Sequence, residues 1–174
     1  LHHILGKPVL SYVVDLAKGV QAEKTIVVVA DQDDSIENIF GNELLYAVQK
    51  KQLGTGDALR AAIDLIESDT TLVLYGDAPF LRPESLEAFL AFHQDKDLSI
   101  LSVNMPDPFN YGRILRGDGG VEKIVEEKDC TEQQREIKEI NSGILLMNTA
   151  PMKEALGKLK SANAQGEYYL TDLV

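Results

Sequence analysis

The hexapeptide Thr25-Ile26-Val27-Val28-Val29-Ala30 decides the fold. Its β-branched residues favour extended backbone. Its lack of polar alternation predicts a strand covered on both faces, as in a parallel sheet between layers of helices. Upstream, Pro8 opens and Gly19 closes a stretch in which Leu10, Val13, Val14 and Leu16 recur at three-to-four spacing, which predicts a helix. Downstream the two patterns alternate: helix over Asp34–Phe40, strand over Leu44–Val48, helix over Thr55–Ile66, strand over Thr71–Tyr75, helix over Pro83–Phe92 and strand over Leu98–Val103. Such alternation predicts an α/β domain with a mostly parallel sheet covered by helices on both faces.

After Met105 the texture changes. Pro106 and Pro108 lead into strands near Gly112–Leu115 and Val121–Glu126, joined through Gly117-Asp118-Gly119-Gly120, which predicts a β-hairpin added at the sheet edge. Asp129–Lys138 is the most polar stretch and reads as an exposed loop or short helix, with Cys130 as a free thiol away from any site. A strand over Ile140–Met147 and a helix over about Thr149–Leu159 follow, and Tyr168–Val174 has the spacing of a starting helix. Without a repeat or a linker, residues 1–174 read as one domain. The opening at Leu1, on the approach to a helix, and the stop at Val174 imply that both ends are cut.

Composition excludes several classes of function. The formal charge of −11, with no stretch that concentrates Lys and Arg, argues against nucleic acid as a partner. The longest apolar runs, such as Ile26–Ala30 and Ile144–Met147, fall far short of the about 20 residues that cross a bilayer, so no membrane span is expected. A single cysteine forms no internal disulfide and no cysteine metal cluster, which fits a reducing cytoplasm. His2 and His3 lack neighbouring ligands and read as loop residues.

Some segments carry candidate chemistry. Gln52-Leu53-Gly54-Thr55-Gly56-Asp57 joins a buried strand to a helix, where open α/β sheets bind ligands. Its glycines allow close approach of backbone to a ligand or simply satisfy the turn, and Thr55 is placed to cap the helix. Tyr75-Gly76-Asp77 follows an apolar strand, so Asp77 stands at a strand's carboxyl end. There it could hold a divalent cation or cap the next helix, although Pro79 and Pro83 separate it from that helix. Gly112, Glu126 and Asn141 sit at strand ends, and an amide such as Asn141 needs hydrogen-bond partners if buried.

Taken in order, L-H-x-x-x-G-K-P from Leu1, Q-x-x-Q-L-G-T-G-x-A from Gln49, L-Y-G-D-x-P from Leu74, Y-G-R-I from Tyr111, I-V-E-x-K-D from Ile124, E-I-N-S-G-I from Glu139 and N-x-Q-G-E-Y-Y-L-T-D from Asn163 resemble the uridylyltransferase domain of the bacterial bifunctional N-acetylglucosamine-1-phosphate uridylyltransferase/glucosamine-1-phosphate acetyltransferases. The resemblance covers essentially the whole chain. It implies a Rossmann-like, GT-A-like nucleotidyltransferase fold. Its substrates would be UTP and N-acetylglucosamine 1-phosphate, its cofactor magnesium, and its role the supply of a cell-envelope precursor. It further implies that Gln49, Gly54 and Thr55 bind uracil. Tyr75, Gly76 and Asp77 would border the sugar nucleotide, with Asp77 on magnesium and catalytic, while Gly112, Glu126 and Asn141 hold the sugar. Gln49 would offer the base both a donor and an acceptor.

The family's Gly-rich loop with its basic residues, a lysine close before Leu1, the second magnesium ligand (an asparagine) and the trimerising β-helix acetyltransferase half do not occur in these 174 residues. The resemblance therefore implies a monomeric, nearly inactive chain whose parent is a homotrimer. A thymidylyl- or adenylyltransferase of sugar 1-phosphates, or a non-catalytic regulatory domain of the same fold, are the competing readings. The Asn163–Tyr169 stretch argues against the first and the presence of Asp77 against the second.

Overall fold

The computed structural model describes residues 2–94 and 96–174. Leu1, which opens the first motif above, lies outside them. A short antiparallel pair, β1 (His3–Ile4) and β2 (Lys7–Pro8), precedes α1 (Val9–Gly19) and β3 (Ile26–Ala30). Helix α2 (Glu37–Phe40), β4 (Leu45–Gln49), α3 (Thr55–Ala62), β5 (Thr70–Val73), α4 (Pro83–His93) and β6 (Leu98–Asn104) follow. The hairpin β7 (Arg113–Gly117) and β8 (Gly120–Val125) comes next, then α5 (Glu132–Arg135), β9 (Glu139–Asn148) and α6 (Thr149–Lys158). Single 3-10 turns cover Gly41–Glu43, Ile63–Leu65, Glu127–Asp129 and Leu170–Leu173, so the C-terminal helix expected over Tyr168–Val174 is a short turn. Helix α2 begins later than expected because the Asp33 carboxylate accepts the Ser35 N–H at 3.1 Å, an Asx turn that competes with helix.

The α/β class and the edge hairpin are present, but the expectation of a mostly parallel sheet is corrected. Among the described residues β3 and β4 pair in parallel, with Ile26 opposite Leu45 and Ala30 opposite Gln49. Strand β9 instead runs antiparallel to β5, β6 and β7, and β7 runs antiparallel to β8. An apolar run signals burial on both faces and carries no information on strand direction. Nor does Thr25–Ala30 lie at the centre: among the described residues β3 pairs with β4 alone, and of β3 only Val29 is buried.

The central strand is β9. Leu145 and Met147 on one face join Leu59 and Ala62 of α3 and Met152 and Leu156 of α6. Ile144 and Leu146 on the other join Leu16 of α1 and Leu86 and Phe89 of α4. With each face covered by helices, no position between Ile144 and Met147 is free to be polar. Ala47 of β4 and the flanking Ile26 and Val28 of β3 share the α3–α6 cluster, which ties the parallel pair to the larger sheet. No described helix is long and apolar enough to cross a membrane.

One side chain fastens α3 to α6 and to the C-terminal segment. Arg60 donates from Nε to Leu156 O at 2.9 Å, a carbonyl that also accepts the Leu159 N–H, and from Nη2 to Leu159 O at 3.1 Å, just past the end of α6. Its guanidinium also lies 4.4 Å from the centroid of the Tyr168 ring. Arg60→Met keeps the stem and removes these bonds, and it should lower the unfolding free energy by about 1–3 kcal/mol in urea titrations.

Candidate active site

The turn from β4 into α3 is built on glycine. Gly54 has φ +107, and a Cβ there would lie 2.6 Å from the carbonyl oxygen of Tyr168. That close approach serves a backbone clamp. The Gly56 N–H donates to Tyr168 O and the Tyr168 N–H donates to Leu53 O, both at 2.8 Å. Thr55 does not cap α3 as expected, since Gly54 occupies that position; its Oγ1 accepts the Leu170 N–H at 3.0 Å. Gln49, at the end of β4, donates from Nε2 to Gly54 O at 3.1 Å and to Asp57 Oδ2 at 2.8 Å. Both amide hydrogens are thereby engaged and only the Oε1 acceptor is left open, where a donor and an acceptor were expected.

A second special backbone position lies in β9. Leu101 of β6 pairs with Ile144 and Ser102 with Asn141, so Ser142 and Gly143 form a bulge. Gly143 has φ +82, its N–H donates to Asn141 Oδ1 at 3.0 Å, and a Cβ on it would meet Tyr75 Cε2 at 2.3 Å. The Tyr75 ring thus lies where only glycine leaves room. Asn141 is buried, its backbone N–H donates to Gly112 O at 2.8 Å, and its Nδ2 has no acceptor among the described residues.

Gly112 leads to Glu126. A Cβ on Gly112 would sit 3.3 Å from Glu126 Oε2, while Glu126 Oε1 accepts from Thr171 Oγ1 at 2.8 Å. Burial pushes the Glu126 carboxyl above its usual range, Asp129 and Asp172 add to this, and the Thr171 hydrogen bond opposes it. Burial likewise raises the Tyr75 hydroxyl, with the charges of Glu126 and Asp77 adding and Thr55 opposing. The base of the hairpin is fixed by Arg113, 2% exposed, whose Nη2 lies 2.7 Å from Glu127 Oε2 and whose Nη1 donates to Tyr111 O.

Gln49, Gly54, Thr55, Tyr75, Gly112, Glu126 and Asn141 thus form one closed circuit of neighbours, completed by Gly143, Thr171 and Leu170. Gly76 and Asp77 follow Tyr75, exposed, in a turn where the Ala78 N–H donates to Tyr75 O at 3.2 Å. Asp77 forms no ion pair among the described residues, and no group of three or more His, Cys, Asp or Glu there could enclose a metal. A lone exposed carboxylate suits a hard cation that takes most of its oxygens from water and phosphate.

Sequence reasoning left Asp57, Gly143 and the Tyr168–Thr171 segment without roles. The last of these stood inside a quoted motif, and the Gly-Thr-Gly turn itself signalled a backbone partner. Cys130 is corrected: it is 6% exposed, its Sγ lies 3.4 Å from Val125 O, and it adjoins the turn that carries Glu126. Burial raises its thiol and so disfavours the thiolate that reacts.

Because the folded protein disfavours the Glu126 charge, this group contributes stability that is complete below the ordinary carboxyl pKa and is lost as pH rises through its raised folded value. Glu126→Gln keeps an acceptor for Thr171 without the charge. It should raise the thermal midpoint at pH 7, with the gain over wild type vanishing as pH falls below about 4.5, read by calorimetry across that range.

Comparison with known proteins agrees with this architecture. The chain is 43% identical to the bifunctional protein GlmU of Alcanivorax borkumensis and 44% identical to that of Pseudomonas aeruginosa, in each case over its whole length. It spans 39% of the length of these curated relatives. Two solved structures share the fold at low identity. One is a Bacillus anthracis protein described as a glucose-1-phosphate thymidylyltransferase, with a TM-score of 0.80 and 19% identity over 99% of this chain and 71% of that one. The other is a UDP-glucose pyrophosphorylase complexed with UDP-glucose, with a TM-score of 0.75 and 18% identity over 97% of this chain and 74% of that one. The profile of the MobA-like NTP transferase domain matches residues 1–126, more than two thirds of the chain, which therefore belongs to that family.

Proposed function

We propose that this nucleotidyltransferase domain joins UTP to N-acetylglucosamine 1-phosphate, giving UDP-N-acetylglucosamine and pyrophosphate. The observation that carries the reading is the closed circuit at the strand ends. Base-edge groups from Gln49, Gly54 and Thr55 meet sugar-hydroxyl partners from Gly112, Glu126 and Asn141 across the Tyr75 ring. Gln49 Oε1 accepts the uracil N3–H. Asn141 Nδ2 and the Gly112 N–H donate to sugar hydroxyls, and Glu126 accepts from one. The identity, over the whole of this chain, to proteins named bifunctional GlmU supports the same assignment.

An oxygen of the sugar phosphate attacks the α-phosphorus of UTP, and the bond from that phosphorus to the β-phosphate oxygen breaks. The nucleophile is already anionic at neutral pH, so no side chain need act as general base. The chain's part is to hold both substrates in line and exclude water. Asp77 is the carboxylate that would hold magnesium, which when bound neutralises phosphate charge. A protein of charge −11 needs such local neutralisation to admit a triphosphate. The same reading places the protein in the cytoplasm, this chain as a monomer and a two-activity parent as a trimer.

Pyrophosphate release from UTP, CTP, ATP and dTTP with the sugar phosphate tests the assignment. The protein would be this chain joined at both ends to the flanking segments of the Alcanivorax borkumensis relative. UTP should be used best, and the 174 residues alone should be slower by about 10² or more, because the resemblance implies phosphate-stabilising groups that do not occur among these residues. A preference for ATP or dTTP would overturn the reading. Glu126→Ala and Asn141→Ala should each weaken sugar phosphate binding by about 1–3 kcal/mol in titrations at fixed magnesium.

A further inference from the structure

We infer that Asp57 is a positioning residue that makes the base site select uridine over cytidine, an inference that rests on the uridylyl-transfer reading. A primary amide has two N–H donors and one carbonyl acceptor. In Gln49 both donors are turned inward, with Nε2 at 3.1 Å from Gly54 O and 2.8 Å from Asp57 Oδ2. A carbonyl and a carboxylate have no proton to give, so reversing the amide would set its oxygen against two acceptors. Gln49 is thereby locked with Oε1 outward.

That orientation has a chemical consequence. Uracil carries a hydrogen on N3, whereas N3 of cytosine is a bare lone pair. An outward Oε1 is matched by the first and opposed by the second, and an unmatched polar pair in a binding site weakens binding strongly. Asp57 is half-buried in the first turn of α3, so the helix holds its carboxylate in place beside Gln49. Gly54 O alone occupies only one amide hydrogen. Without the carboxylate the second is free, and the amide can turn to offer a donor to cytosine N3.

The test is titration calorimetry of UDP, CDP and ADP into this chain and its Asp57 variants. Wild type should favour UDP over CDP by about tenfold or more. Asp57→Ala should reduce that ratio at least about fivefold, chiefly by tightening CDP, while Asp57→Glu, which keeps a carboxylate that can only accept, should hold it within about twofold. Asp57→Ser suits a helix first turn and should give the same result as alanine if the alanine variant fails to fold. A merely structural role in α3 would weaken UDP and CDP alike, and an unchanged ratio in Asp57→Ala overturns the inference while leaving uridine binding intact. Wild-type protein that binds CDP as tightly as UDP also overturns it. A chain that binds neither pyrimidine nucleotide, or prefers ADP, overturns the uridylyl-transfer reading and the inference with it.

Discussion

Two hydrogen bonds between the Tyr168 backbone and the Leu53–Gly56 turn hold the site together. They bring a segment more than one hundred residues downstream onto the start of α3, and the close approach relies on glycine: a Cβ on Gly54 would lie 2.6 Å from Tyr168 O, and one on Gly56 would lie 3.0 Å from the same oxygen. Once Tyr168 is docked, the next residues fall into place. The Leu170 N–H reaches Thr55, and the Thr171 hydroxyl reaches Glu126 on the far side of the site. The Gln49 side and the Glu126 side are thus joined through Tyr168–Thr171, whose last two residues open the 3-10 turn, with Arg60 stacked on the Tyr168 ring.

The second constraint is the bulge in β9. A strand that buries both faces has no freedom to aim a polar side chain unless its register is broken, and Ser142 and Gly143 break it. The break leaves Asn141 buried with its Oδ1 on the Gly143 N–H, and it opens the space that the Tyr75 ring fills. The same strand, two residues on, is among the most tightly packed in the molecule, with Leu145 and Met147 each 1% exposed. Site and core therefore share one element, and the packed core holds the Asn141 amide in place.

The elements were legible in the sequence wherever apolar runs and glycine or proline punctuation coincide, as at Thr25–Ala30, Pro83–Phe92 and the Gly117–Gly120 hairpin turn. Strand direction was not legible. The pairing of β9 with β5 and β6 joins residues distant in sequence, and its apolar run looks the same whether parallel or antiparallel. The candidate residues at strand ends converge because strand ends do, so Gln49, Thr55, Tyr75, Gly112, Glu126 and Asn141 share one neighbourhood. Finer chemistry was hidden for a different reason. The orientation of the Gln49 amide depends on a carboxylate eight residues away, and the burial of Cys130 depends on how the polar 127–135 segment folds back under the Arg113–Glu127 ion pair.

The central claim is that the circuit from Gln49 to Asn141 is the place where a uridine nucleotide sugar sits. Backbone amide NMR during titration with UDP-N-acetylglucosamine tests it directly, because each part of the circuit carries a reporting N–H. The account predicts shifts concentrated at Gly54, Thr55, Gly112, Asn141, Gly143 and Thr171, with α4 and the Lys158–Lys160 stretch at and just past the end of α6 unmoved. Saturable shifts confined to other surfaces, with these residues silent, would contradict it.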